Sequence, residues 1–214
     1  MSILNEISQA LQSGKAKVVK ELVQKAVDEG LSAVDILNSG LLDGMSVIGD
    51  KFKKDEIYVP DVLIAARAMN AGTEIIKPIL ISSGAKAVGK VVIGTVFGDL
   101  HDIGKNLVKM MLEGRGLEVV DLGVNVPAQK FIDMAIQENA QIICCSTLLT
   151  TTMPEMENVV NAAKNAGIRE QVTIMIGGAP VNQSYCDKIS ADIYTPDAAS
   201  AAEEAVKACK SAEA

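Results

Sequence analysis

With 214 residues and 49% hydrophobic content, the chain has material for one large domain or two modest ones around a buried core. Its formal charge of −7, with Lys and Arg scattered singly, excludes a nucleic-acid surface, which needs a basic stripe. No apolar run reaches the roughly 18 residues that span a bilayer, and the opening MSILNEISQALQSGK lacks the apolar centre of a signal peptide, so a cytoplasmic protein is expected.

From the N-terminus, a short helix is expected around Ile3 to Leu11, and a second carries the stripe Val18, Val19, Leu22, Val23, Ala26 and Val27. Val34, Leu37, Leu41, Met45 and Ile48 form a third stripe. Val62, Ala66, Met69, Thr73 and Ile76 form a fourth, opened by Pro60 at a first helical position and closed by Pro78. These four make a helical bundle. The small, polar stretch SSGAKAVGK at 82–90 then marks a boundary, giving domains 1–88 and 89–214.

Beyond it, short apolar runs alternate with helical segments: VVIGTV (91–96), LEVVDL (117–122), QIICCS (141–146), VTIMIG (172–177) and a weaker ADIY (191–194). Runs that are apolar without alternation suit strands buried on both faces, hence a parallel sheet with right-handed crossovers. The expected fold class is α plus α/β: a four-helix bundle followed by a five-stranded, doubly wound, flavodoxin- or Rossmann-like domain. Cys144 and Cys145 are adjacent while Cys186 and Cys209 stand alone, so neither a disulfide framework nor a CxxC zinc site is present, and reduced thiols are expected.

In a 2-1-3-4-5 sheet, ligands bind beyond the carboxyl ends of the strands, between strands 1 and 3. Strand 1 runs into GDLHDIGKN (98–106), strand 3 into STLLTTT (146–152) and strand 4 into GGAP (177–180), so all three unusual segments fall on that edge. The first holds the only histidine, His101, between Asp99 and Asp102. One imidazole can bind one metal, and Asp99 is placed to accept its second ring N–H, fixing the tautomer. Gly98 and Gly104 bracket it and let backbone approach something large and flat. Plainer roles stand beside these: a hydrogen-bonded bystander for His101, a helix cap for Asp102 ahead of Ile103, a capping box for Thr152-Met-Pro-Glu155, and a simple turn for Gly177-Gly178.

Spacing excludes other chemistries. One residue too many separates Gly98 from Gly104-Lys105-Asn106 for a P-loop, and Asn106 stands where Ser or Thr should hold magnesium. A metal-dependent phosphohydrolase needs several histidines. A response-regulator receiver wants an acidic phosphoacceptor where Ser146 stands.

Asp99-Leu-His101-Asp-Ile-Gly104, Ser146-Thr-Leu148 and Gly177-Gly178 resemble the DxHxxG…SxL…GG signature of cobalamin-binding domains, with 41 residues between Gly104 and Ser146 and 28 between Leu148 and Gly177. The first half is similar to the helical cap beside that domain in methionine synthase and in corrinoid proteins of methyl transfer, through Gly44-Met45, Val47 to Phe52, Val59-Pro60 and Ala65 to Met69. The length and layout are similar to those of stand-alone corrinoid proteins. The resemblance implies a cobalamin or related corrinoid bound with its base displaced, His101 as lower cobalt ligand, Asp99 bonded to His101, and Thr152 completing the triad with a hydroxyl. It further implies that Asp102, Ile103, Gly104, Ser146, Leu148, Thr150, Gly177 and Gly178 line the cofactor site and that Phe52 and Val59 cover the cobalt-bound methyl. In a helical bundle Phe52 and Val59 also read as plain core.

The implied function is a non-enzymatic methyl carrier that accepts a methyl group on Co(I) from a substrate-specific methyltransferase and gives it from methyl-Co(III) to a second one with a thiol or tetrahydrofolate acceptor. Residues 82–90 would be the hinge that moves the cap, and a reductive activase would be a further partner. Two other classes remain: a cobalamin-dependent sensor, which would need an output module, and the small subunit of an adenosylcobalamin mutase, which would lack the helical half. The methyl donor is not legible in the chain.

Overall fold

The computed structural model describes residues 2–83 and 87–212. They separate into two units, Met1–Lys86 with Gly114–Gly116, and Ala87–Glu113 with Leu117–Ala214. Residues 84–86 of the expected hinge lie outside the described residues.

The first unit is helical: α1 (Ile3–Gln12), α2 (Ala16–Asp28), α3 (Ala33–Asp35), a π-helical stretch Ile36–Leu42, α4 (Asp43–Lys53) and α5 (Val59–Ser82). Because α3, the π stretch and α4 run on continuously, they form one of the four bundle helices. Its buried hydrophobic residues are Ala33, Ile36, Leu41, Met45 and Ile48, whereas Val34 is exposed and Leu37 half-buried. The expected stripe is thus out of phase before Leu41. A π turn takes more residues than an α turn, so a strict 3.6-residue count across it names the wrong neighbours.

A second correction concerns Pro78, which stands inside α5 while the helix continues to Ser82. A proline removes one backbone hydrogen bond to the residue four earlier. Here both Pro78 and Glu74 are exposed, where water can take the freed carbonyl. At the other end Pro60 occupies the second helical position, and the Asp61 carboxylate accepts the Tyr58 backbone N–H at 2.9 Å.

The second unit alternates strand and helix: β1 (Lys90–Thr95), α6 (Ile103–Glu113), β2 (Glu118–Asp121), α7 (Ala128–Glu138), β3 (Ile142–Ser146), α8 (Pro154–Asn165), β4 (Thr173–Gly177), α9 (Gln183–Ile189), β5 (Ile193–Tyr194) and α10 (Ala198–Ala212). Every pairing is parallel and the order is β2-β1-β3-β4-β5, the doubly wound sheet expected from the apolar runs. The central strands are buried on both faces; on one of them Val92, Ile143 and Ile174 pack with Phe131, Met156 and Val160. Gly94 lies under Phe131, whose Cζ would be 2.8 Å from an added Cβ. Thr95 pairs with Ser146 and Ser146 with Gly177, so β1, β3 and β4 end level and their three following loops share one edge. No helix among the described residues is long and apolar enough to cross a membrane. All four cysteines are buried and outside any disulfide, and burial pushes Cys144 up to about 12.

Candidate corrinoid site

After β1 the chain turns at Gly98, whose φ of +81° suits glycine, and delivers Asp99 fully buried between the β1–α6 and β3–α8 loops. Asp99 Oδ1 accepts the His101 backbone N–H at 3.0 Å and lies 2.7 Å from His101 Nδ1. Oδ2 accepts the Leu148 N–H at 2.7 Å and the Thr147 hydroxyl at 2.8 Å. Burial pushes the Asp99 carboxyl up, but the N–H groups of His101 and Leu148, the His101 ring and the Thr147 hydroxyl outweigh it and hold it well below the usual carboxylate range.

An ionised Asp99 only accepts hydrogen bonds. His101 Nδ1 therefore carries the ring proton, and Nε2 keeps its lone pair for a metal. The imidazole is 52% exposed, so it is anchored at one nitrogen and open at the other. The Thr95 hydroxyl fixes the loop further by donating to the His101 carbonyl at 2.9 Å.

The Thr152 hydroxyl lies 2.6 Å from that of Thr147 and 3.3 Å from Asp99 Oδ2. A hydroxyl has one proton. With Thr147 donating to Asp99, the short contact is made by Thr152 donating to Thr147. Thr152 forms no capping box: α8 has no side-chain cap, and only the Thr152 carbonyl meets the Glu155 N–H, at 3.1 Å. Asp102 accepts from Asn106 through its carbonyl at 2.8 Å and its carboxylate at 3.1 Å, holding the first turn of α6.

The other residues singled out from the sequence divide between the two units. Ile103 is 78% exposed and Leu148 46% exposed, and Ser146 ends β3 half-buried, while Thr150 is an exposed turn residue. An added Cβ at Gly104 would meet nothing within 4 Å, and one at Gly177 would meet only the Thr195 carbonyl, at 3.7 Å. Gly178, at φ +136°, is different: its Cβ would run into the Thr147 carbonyl, so the close approach of two loops already demands glycine there. Phe52 and Val59 belong to the helical unit, half-buried on either side of the α4–α5 turn.

Three residues that hold the loops and elements around this site escaped the sequence reading. Thr147 occupied the variable position of S-x-L, although the run of hydroxyls from Ser146 to Thr152 was a visible signal. Thr95 gave none, since nothing local marks a strand-end threonine as a carbonyl donor. Lys105, nearly fully buried, pairs with Asp121 Oδ1 at 2.7 Å and ties α6 to β2.

The donor set suits a metal that arrives in a macrocycle. Among the described residues no group of three or more His, Cys, Asp or Glu could hold a bare ion. His101 supplies one nitrogen, beside exposed apolar Leu100 and Ile103 and the open backbone of Gly104, a surface fitted to a flat ring.

Two families described as B12 binding domain match the chain, one over residues 89–207 and one over 3–77. A corrinoid protein of Desulfitobacterium hafniense is 40% identical over 97% of both chains. Trimethylamine corrinoid protein 1 of Methanosarcina acetivorans is 41% identical over 90% of both. Among solved structures, the methanol:cobalamin methyltransferase complex of Methanosarcina barkeri contains a chain 32% identical with a TM-score of 0.87, matching 97% of this chain and 80% of that one. The chain belongs to the B12-binding family of corrinoid proteins, and its cofactor is a cobalamin-type corrinoid.

Proposed function

We propose that this protein is a methyl carrier between two methyltransferases, holding its corrinoid with His101 Nε2 as the lower ligand to cobalt. The observation that carries the reading is the buried Asp99 carboxyl group 2.7 Å from His101 Nδ1, which makes Nδ1 the hydrogen-bond donor and leaves the Nε2 lone pair free. The bound cobalt would supply both the nucleophile that takes the methyl group and the electrophile that releases it.

The chain's own part is control of that centre. His101 would hold the cobalt from a loop whose other groups are fixed, and Asp99 would keep its ring in one tautomer. Thr147 and Thr152 extend the hydrogen-bonded chain from Asp99. Ser146, Thr150 and Gly177 lie along the edge where the displaced nucleotide tail would run, and for Phe52 and Val59 of the helical unit, cover of the cobalt-bound methyl is what the family resemblance implies. The carrier role draws support from relatives named for trimethylamine and from a solved relative titled as a methanol:cobalamin methyltransferase complex. Partners of this chain would be a substrate-specific methyltransferase, an acceptor methyltransferase using a thiol or tetrahydrofolate, and a reductive activase.

The reading is tested by loading the full chain with hydroxocobalamin, reducing it, and presenting it to methylamine, methanol, methoxyarene and betaine methyltransferases with carbon-labelled substrate. Label should pass to the protein-bound corrinoid with one of them and onward to an acceptor enzyme. A loaded protein that takes up no label from any of these partners would overturn the carrier role.

A further inference from the structure

The loop that carries Asp99 and His101 is gripped from the side by one residue of the β2–α7 connection, Asn125. Its backbone N–H donates to the Asp99 carbonyl at 2.9 Å, and its side-chain Oδ1 accepts the Gly98 N–H at 2.8 Å. Asn125 is also one of four non-glycine residues with positive φ among the described residues, at +55°. That left-handed conformation is unfavourable for most side chains and tolerated by Asn, and it persists only where surrounding contacts enforce it. Those contacts are present on both sides: Val126 pairs with Val96, its N–H donates to the Thr95 carbonyl at 3.0 Å, and the Thr95 N–H donates to the Gly123 carbonyl at 3.0 Å.

We infer that Asn125 is a positioning residue for the cobalt ligand: it clamps the Gly98–Asp99 backbone and so sets where His101 stands. The inference rests on His101 being the lower ligand. A clamp on Gly98 matters because the loop reverses there at φ +81°, and rotation about that glycine would carry Asp99 and His101 together. Of the other fixed points, the Asp99 N–H donates to the Val96 carbonyl at 3.2 Å within the turn, Thr95 holds the His101 carbonyl, and Leu148 with Thr147 hold the Asp99 carboxylate. Among the described residues, Asn125 alone grips the turn from a separate loop, at both the Gly98 N–H and the Asp99 carbonyl.

Two substitutions separate the side-chain bond from backbone strain. Asn125→Gly keeps the left-handed φ and removes the acceptor; Asn125→Asp keeps both. The full chain, loaded with cobalamin and reduced to Co(II), is read by EPR for the ratio of histidine-ligated to histidine-free cobalt, with His101→Ala as the histidine-free standard. Asn125→Gly should load corrinoid and shift that ratio toward the histidine-free form by about ten-fold, the scale of lost support behind a metal ligand, and Asn125→Asp should restore it. Amide exchange at Gly98 in the unloaded protein should quicken in the Gly variant alone, an independent readout if loading fails. An unchanged ratio and unchanged Gly98 exchange in Asn125→Gly, or an Asp variant that behaves like the Gly variant, would overturn the assignment. Absence of histidine ligation in the unsubstituted protein would instead refute the ligand reading.

Discussion

Asp99 accepts and never donates, and that alone decides which nitrogen of His101 is free. Replacing it by Asn puts an amide N–H within reach of the ring and permits the other tautomer, with the proton on Nε2. Asp99→Asn should weaken histidine ligation about 10- to 100-fold, seen as a larger histidine-free fraction in the Co(II) spectrum. The same carboxylate makes the unloaded protein acid-sensitive. Because its native value is held below the unfolded one, the unfolded chain binds the proton first as pH falls. Its stabilising contribution is complete above about pH 4 and is lost progressively below it. Urea midpoints should therefore drop on acidification, with a shallower slope in Asp99→Asn. At this scale the sequence revealed His101 and Asp99 through their spacing and the shared edge, but not Thr147 or Asn125. Their roles depend on which loops lie side by side, and no local pattern encodes that.

Glycines show how the elements meet. Gly72 lies where α5 packs on its neighbours, and a Cβ there would stand 2.9 Å from Leu41 Cδ2 and 3.0 Å from Val19 Cγ1. Alanine gains up to about 1 kcal/mol of helix propensity, but overpacking costs about 1–3 kcal/mol, so Gly72→Ala should lower the melting temperature. Gly104, in the first turn of α6, faces open space. Gly104→Ala should leave the unloaded protein as stable or up to about 1 kcal/mol more so, and, if Gly104 lines the cofactor as proposed, weaken corrinoid uptake. A variant that loads as the parent does would remove Gly104 from the cofactor surface. Element types were legible because the apolar periods differ so clearly between the halves. The phase before Leu41 and the end of α5 were not, since a π stretch and a solvent-facing proline change the count without changing the residues that signal a helix.

Across the molecule, the level ends of β1, β3 and β4 matter most, because they bring residues from positions 95 to 178 to one edge of a sheet whose order reverses there. Chain order alone suggested that edge; the register shows it. The helical unit is recognised by its own B12-binding match over residues 3–77, and if its half-buried Phe52 and Val59 have the proposed role, truncating them to Ala should alter reactivity at the cobalt while leaving histidine ligation intact. That contrast, altered reactivity with an unaltered Co(II) spectrum, separates the upper face from the lower.

His101 is the only histidine in the chain, so the central claim has a direct measurement. The protein is produced with [15N]histidine as its sole isotopic label, loaded with unlabelled cobalamin, reduced to Co(II) and examined by EPR. If His101 Nε2 is the lower ligand, the three-line nitrogen splitting seen with ordinary histidine collapses to two lines. Splitting that stays three-line would show the nitrogen to be the cofactor's own base and would contradict the account.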